Sequence, residues 1–300
     1  MKGHPFLLSI LVVGLITILF GGLFLFLVSL TGRNGASSLF GFGEVAVIKI
    51  EGPIFDSIPV LKELRFYQEN DAVKALVLRI DSPGGAVAPS QEIFEEVKKF
   101  KKDKIVVVSM GTLAASGGYY IASAAHKIVA SPGTVTGSIG VIMETMGVGE
   151  VLKTLKLESR VIKSGEYKDI GSPLRGVEPK EKAYLQAMLD NMYHQFVEAV
   201  SEQRKIPLET MKGLAEGKIY TGQQALEVGL VDQLGTLYDA IDEAKKMAHL
   251  SEDAGVIWPR EERFPWGPFR SFLQLGKVFK WFGWVTEQGF FPLSLYMIKG

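Results

Sequence analysis

The stretch Lys104-Ile-Val-Val-Val-Ser-Met-Gly-Thr-Leu-Ala-Ala-Ser116-Gly-Gly-Tyr-Tyr-Ile-Ala-Ser-Ala-Ala125 decides how this chain is read. Lys104 to Met110 is a short apolar run, as expected of a strand buried on both faces. From about Ser116 the small residues lead into a helix. A serine at such a strand-to-helix corner has its hydroxyl held out by the turn, beside the free N–H groups and positive dipole end of the helix. Ala114, Ala115, Gly117 and Gly118 let a substrate backbone approach, which is the physical logic of a nucleophile elbow. Taken alone, the same residues also fit a plain helix start with Ser116 as its N-cap. Two further motifs decide between these readings.

Composition sets the bounds around that corner. Three hundred residues, 47% hydrophobic and 22% charged, suffice for one substantial globular domain with extensions. The net charge is zero, so nothing points to nucleic acid as a partner. The chain has no cysteine, which excludes disulfides, thiolate metal sites and a cysteine nucleophile and leaves the redox compartment open.

The N-terminus reads as a membrane segment. No charge occurs from Pro5 to Thr31, and Phe6 to Leu30 is almost wholly apolar. As a helix those 25 residues would reach about 37 Å, enough to span a bilayer with some tilt. A cleaved signal peptide would have a shorter apolar core, on the order of 7–15 residues, and Ala36-Ser-Ser is a poor cleavage site. Residues 1–31 are therefore expected to form an uncleaved signal-anchor, a single transmembrane helix, followed by a flexible linker over 32–43. Lys2 and the α-amino group precede the span and Arg33 alone follows closely, a small bias toward a cytoplasmic N-terminus and a body outside.

Residues 44–250 alternate strand and helix patterns. Strands are expected at Glu44–Glu51, Val73–Ile80, Lys104–Met110, Lys127–Ala130, Ser138–Ile142 and Ser159–Lys163. Helices are expected at Ser57–Asn70, Pro89–Lys102, Val148–Leu157, Glu178–Arg204 and Thr236–Leu250. This alternation predicts one α/β domain with a mainly parallel sheet and right-handed crossovers. Residues 251–300 change character and hold all four tryptophans. There Phe269–Trp284 fits either a helix lying in the membrane interface or an arm packed on a neighbouring subunit.

The second motif, Asp81-Ser-Pro-Gly-Gly85, ends the Val73–Ile80 strand. Ligands bind at the carboxyl ends of parallel strands. Pro83 fixes the turn, and Gly84 and Gly85 can present backbone N–H groups to a developing oxyanion. Alone, this is an ordinary Pro-Gly turn; beside Ser116 the oxyanion reading gains. The third question is the base. His126 lies at the far end of the elbow helix, and His4, His194 and His249 lie elsewhere, so a Ser–His–Asp triad is not supported. A lysine among apolar groups can serve as a neutral base. Lys168, in Ser164-Gly-Glu-Tyr-Lys-Asp-Ile-Gly-Ser-Pro173, follows an expected strand end, but composition alone does not select it.

Together, Asp81-Ser-Pro-Gly-Gly85, Gly111-Thr-Leu-Ala-Ala-Ser116-Gly-Gly-Tyr-Tyr, Thr136-Gly-Ser138-Ile-Gly140-Val and Lys163-Ser-Gly-Glu-Tyr-Lys168 resemble the short, single-domain bacterial form of the signal peptide peptidase A family, within the Clp/crotonase-like serine proteases of family S49. The resemblance runs from the apolar span to about residue 250. It implies a Clp protease/crotonase-like fold, Ser116 as nucleophile, Lys168 as general base and Ser138 as the hydroxyl that orients the lysine amine. The oxyanion donors would be backbone N–H groups of Gly84 or Gly85 and Gly117. It implies no metal or other cofactor, signal-peptide and other hydrophobic peptide substrates, and a ring of identical subunits, eight in number, tethered to the bacterial cytoplasmic membrane. Two alternatives stand beside it: another membrane-associated Clp-class protease, and a crotonase-like acyl-CoA enzyme or binding module that needs neither Ser116 nor Lys168.

Overall fold

The computed structural model describes Gly14, residues 18–22 and residues 44–259. No helix among the described residues is long and apolar enough to cross a membrane. The expected span at 5–31 falls almost wholly outside them, as do the linker and the interfacial helix. The chain divides into two compact units: the first runs to Val141 and resumes over Asp190–Pro259, and the second comprises Ile142–Leu189 among the described residues.

The first unit is a mixed α/β layer structure. Its strands are β1 (Val45–Glu51), β2 (Ala75–Ser82), β3 (Ile105–Ala115), β4 (Lys127–Ala130), β5 (Val135–Gly137), β6 (Ile219–Thr221), β7 (Gln233–Leu234) and β8 (Val256–Ile257). They form one sheet in the order β6-β5-β3-β2-β1-β8, with β4 pairing β3 and β7. Every pairing is parallel except β5 with β6. The unbroken apolar runs of β1, β2 and β3 follow from this arrangement, because a parallel strand in the middle of such a sheet is covered on both faces.

Alternate residues serve the two faces. Ile48 and Ile50, Leu76 and Leu78, and Val106 and Val108 face one core. That core is completed by helices α1 (Ile58–Glu69), α2 (Val87–Asp103) and α3 (Gly117–Ser123). Leu64, Ile93, Val97, Phe100 and Ile121 are its helical contribution, all fully buried. On the other face Val45, Val47, Val77 and Val107 meet Ala240, Ile241 and Ala244 of the C-terminal helix Leu237–Met247. Burying each such aliphatic side chain stabilises the fold by roughly 1.5–3 kcal/mol. The one-residue phase of each strand is thereby fixed.

The second unit holds the short helix α4 (Gly149–Thr154) and the start of the long helix α5 (Pro179–Arg204), whose later residues belong to the first unit. The remaining helices are α6 (Leu208–Leu214), α7 (Gly222–Glu227) and α8 (Leu237–Met247). Both α7 and α8 start at capping boxes, Thr221 with Gln224 and Thr236 with Asp239.

The expected strands at Ser138–Ile142 and Ser159–Lys163 do not form. β5 ends at Gly137, where φ is already 81°, and Ser138 follows at φ 51°, so the chain turns away where a strand was expected to start. Residues 158–163 have β-forming composition but no neighbouring strand to pair with, and Ile162 is fully exposed. The α4 helix is shorter than expected. The segments α6, β6, α7, β7 and β8 have no counterpart in the sequence reading, because runs of two to seven residues carry too little periodicity to detect.

Candidate active site

Strand β3 extends five residues beyond its expected end and delivers Ser116 directly to α3. The corner is strained: Ser116 has φ 51° and ψ −122°, a region non-glycine residues rarely occupy. Such a conformation costs on the order of 1–3 kcal/mol and persists only where its surroundings enforce it. They do so here through two main-chain bonds. The Ser116 N–H donates to Gly137 O at 2.8 Å, and Ser116 O accepts from Tyr120 N–H at 2.8 Å. Ser116 stands at the N-cap position of α3, as the plain helix-start reading has it, but its side chain makes no capping hydrogen bond. Its residue is partly exposed while Ala114, Ala115, Gly117 and Gly118 are buried. The hydroxyl is left free for chemistry.

The Asp81–Gly85 turn closes on this corner. Gly84 has φ 93°, and a Cβ built there would lie 2.6 Å from Gly117 N and 2.8 Å from Ser116 Cβ. Only glycine fits against Ser116 here. A Cβ on Gly85 would strike Ile54 O at 2.1 Å, and one on Gly117 would strike Ser90 Oγ at 2.3 Å. The structure therefore brings Gly84 and Gly117 together at Ser116. Ser82 Oγ accepts the Gly84 N–H at 3.1 Å, so of the two candidate donors on this turn Gly84 already has a partner.

Ser138 belongs to the same corner by register. Ala115 pairs with Gly137, so Ser116 and Ser138 are the next residues along two neighbouring strands. Both leave their strands at φ 51°. The Ser138 N–H donates to Lys218 O at 2.7 Å, and Thr136 Oγ1 donates to Ala114 O at 2.6 Å, tying β5 to β3. Tyr119 and Tyr120 anchor α3 from below. Tyr119 OH donates to Leu230 O at 2.9 Å, and full burial pushes its phenol well above the ordinary range. Tyr120 stacks on Phe94 with ring centroids 4.5 Å apart.

His126 is placed where it cannot serve Ser116. Its Nδ1 accepts the Val106 N–H at 3.0 Å, near the start of β3. Ser116 lies past the other end, roughly 30 Å along an extended strand. Burial, and secondarily Lys101, lowers the His126 pKa.

Lys168 lies in the second unit, on the turn-rich segment 164–175 rather than after a strand. It is exposed in the single chain, whereas a neutral lysine base is expected to be buried among apolar groups. The residues that could cover it are not supplied by its own neighbours: Val161, Ile162 and Tyr167 are exposed too. What sequence reasoning missed is the frame around it. Arg175 donates to Asp169 and to Glu181, six residues to either side. Asp169 and Arg175 lie in turns and bends rather than in a strand or helix, so no periodic pattern announced the pairing. Asp81 was likewise missed as a support: its Oδ1 accepts the Leu113 N–H at 3.1 Å, just before the elbow.

The structure thus shows a mainly parallel, Clp protease-like α/β fold with Ser116 at a strained strand-to-helix corner packed by a glycine turn. Sequence comparison agrees and narrows the class. The Clp protease profile matches residues 42–134, and that of Peptidase family S49 matches residues 98–251, just over half of the chain. The chain belongs to peptidase family S49 and is a serine protease.

A putative protease of Synechocystis is 45% identical over 212 residues, covering 70% of this chain and 76% of that one. A putative protease of Methanocaldococcus jannaschii is 37% identical over 277 residues, 87% of this chain and 88% of its own. The putative signal peptide peptidase SppA of Enterococcus faecium is 41% identical over 198 residues, 66% of this chain and 57% of its own. The family assignment decides against the acyl-CoA alternative.

Proposed function

We propose that the chain is a membrane-anchored serine endopeptidase that uses Ser116 and Lys168 to hydrolyse remnant signal peptides and other hydrophobic peptides. The observation that carries this reading is the Ser116 corner: strained, uncapped and packed against Gly84. A neutral Lys168 amine takes the proton of Ser116 Oγ, which attacks the scissile carbonyl carbon. The carbonyl oxygen, now negative, accepts N–H groups from the Gly84-Gly85 turn and Gly117. As the tetrahedral intermediate collapses, the C–N bond breaks and the lysine ammonium protonates the leaving amine. Water, deprotonated by the same amine, then releases the acyl group from Ser116. Ser138 Oγ accepts a hydrogen bond from the lysine and aims its lone pair.

The exposure of Lys168 requires a second source of desolvation, and another copy of the chain supplies it. Ile142, Met146, Leu155, Leu157 and Ile162 of the second unit are large apolar side chains left more than half exposed. Such a concentration marks an interface. A homo-oligomeric ring, of eight copies as the family resemblance implies, would bury it and complete each site. Residues 1–31 anchor the ring in the cytoplasmic membrane with the catalytic body outside, where discarded signal peptides remain. Tethering to that bilayer raises the local substrate concentration.

The test is cleavage of a panel of synthetic signal peptides by the full-length protein in detergent, with fluorophosphonate labelling in parallel. We expect cuts within apolar, small-residue segments and a label on Ser116, both absent from Ser116→Ala. Cleavage retained by folded Ser116→Ala or Lys168→Ala removes the residue concerned from the mechanism.

A further inference from the structure

Arg175 is the hub of a ring of ion pairs around the segment that carries Lys168. Its Nε and Nη2 donate to the two oxygens of Asp169, each at 2.9 Å, in the parallel fork that guanidinium and carboxylate prefer. Its Nη1 donates to Glu181 Oε2 at 2.7 Å and its Nη2 to Glu181 Oε1 at 2.5 Å. Lys163 Nζ reaches Asp169 Oδ1 at 2.6 Å and Glu166 O at 2.7 Å, closing the loop on the other side. Glu181, at the first turn of α5, is 1% exposed and also accepts the Glu178 N–H at 2.9 Å. One guanidinium thus fastens three pieces of chain: the Lys168 segment, the turn at 175–176 and the start of α5.

The charges adjacent to Lys168 give this ring a second meaning. Lys168 is flanked by two carboxylates, Glu166 and Asp169. A carboxylate beside a lysine favours the ammonium, the wrong state for a base. Here both are engaged by other cations. Glu166 pairs with Lys180, which also meets Glu178 at 3.3 Å, and Asp169 is shared by Arg175 and Lys163. Among the described residues Lys168 forms no ion pair. The remaining titratable group on its segment is Tyr167, which packs on Tyr184 with ring centroids 5.2 Å apart.

We propose that Arg175 is a positioning residue for Lys168: it fixes the segment that carries the lysine and holds the Asp169 carboxylate away from the lysine amine. This rests on the reading of Lys168 as the base. The Asp169 and Glu181 carboxylates are both held below their ordinary range, chiefly by hydrogen bonds from Arg175, as the clamp requires.

The experiment is a pH–rate profile of kcat/KM and kcat for the full-length protein in detergent. It compares wild type, Arg175→Gln, Arg175→Gln with Asp169→Asn, Asp169→Asn alone and Lys168→Arg. Arg175→Gln leaves Asp169 to Lys163 alone, so the partly freed carboxylate moves the ascending limb to higher pH, by up to about one unit. Removing the released carboxylate in the double variant returns the limb toward its wild-type position. In both variants kcat falls, by roughly ten- to hundredfold, because the segment is loosened, while KM changes little.

A purely structural role for Arg175 would lower the rate without moving the limb. An unmoved limb in folded Arg175→Gln, or a shift that Asp169→Asn does not reverse, overturns the proposal. If Arg175→Gln does not fold, Asp169→Asn alone carries the test, and wild-type kcat in that variant overturns the clamp. An active Lys168→Arg removes the base assignment itself, since guanidinium cannot serve as a base, and the proposal with it. An inactive Lys168→Arg beside an unmoved Arg175→Gln limb removes the proposal alone.

Discussion

Around Ser116 the chain excludes water and fixes its own backbone. Ala114, Ala115, Gly117, Gly118 and Tyr119 are buried, and main-chain bonds to Gly137 and Tyr120 hold the turn. Around Lys168 residues 161–168 are exposed, and side-chain ion pairs centred on Arg175 do the holding. The first region is stabilised by burial, which salt and pH scarcely touch. The second depends on charge, which both can alter. Ser116 has a rigid, strained seat within one copy of the chain. Lys168, the proposed base, is exposed in that copy. Each prediction below separates these two ways of building a site, beginning with the most drastic.

Ser116→Ala should abolish turnover, by about 10⁴-fold or more, as loss of a serine nucleophile does elsewhere. Because the Ser116 side chain caps nothing, the thermal midpoint should not fall. A matched pair of kinetic and melting measurements checks both halves. A folded Ser116→Ala protein with residual activity within tenfold of wild type, on the order of a positioning effect only, would remove the corner from the chemistry.

Gly84→Ala attacks the same seat through its packing. The new methyl would sit 2.6 Å from Gly117 N, and a φ of 93° strains any L side chain. The clash is with backbone, so the elbow itself must shift. We expect a stability loss of roughly 1–3 kcal/mol and a kcat loss on the order of 10²-fold. Fluorophosphonate labelling rate reads the second effect independently of substrate binding. Labelling at the wild-type rate would show that the turn does not shape the nucleophile.

The two regions are also unequally legible in the sequence. Strands β1 to β4 and helices α1, α2 and α8 are readable because sheet burial imposes long apolar runs and helix burial a repeating apolar stripe. Ser116, Gly84 and Gly117 each fit an ordinary helix start or turn when taken alone, and only their occurrence together, with the family resemblance, singles them out. Ser159–Lys163 misleads because its composition is β-forming, and a strand needs a partner that these residues lack. Ser138–Ile142 misleads because the chain turns at positive φ through Gly137 and Ser138, and a serine does not signal such a turn. The Arg175 ring is invisible. Charged residues on a loop carry no periodicity, and only the folded chain shows which cation meets which carboxylate.

Tyr119→Phe tests the burial side of the comparison more gently. It removes only the hydroxyl that donates to Leu230 O at 2.9 Å, leaving that buried carbonyl without the bond. The expected cost is about 1–3 kcal/mol of stability, with kcat changed less than in Gly84→Ala. Denaturant midpoints at constant slope provide the measurement. A kcat loss as large as that of Gly84→Ala would mean that the anchor of α3 also sets the Ser116 geometry.

The smallest expected effect concerns acid, and it bears on the charged region alone. Glu181 has an ordinary carboxylate value of 4.5 and is held at about 2 in the folded chain, mainly by the hydrogen bond from Arg175. Asp169 is shifted in the same direction, with Arg175 again the main cause. A carboxylate whose folded pKa is depressed contributes stability that is complete above its unfolded value and disappears as pH falls through the folded one. The ring should therefore be unchanged from neutrality down to about pH 5, weaken below 4.5 and be lost near 2. The Glu178 N–H reports this locally, because it donates to Glu181 Oε2 at 2.9 Å. Its hydrogen exchange, corrected for intrinsic pH dependence, should speed up a few-fold across that window. The amides of β1 and β2, paired strand to strand in the buried sheet, should not respond over the same range. Glu181→Gln, which carries no titrating carboxylate, should abolish the pH dependence at Glu178. If the Glu178 and β-strand amides instead respond together, acid is acting on the whole fold. The contrast between a burial-built nucleophile seat and a charge-built lysine segment would then be wrong.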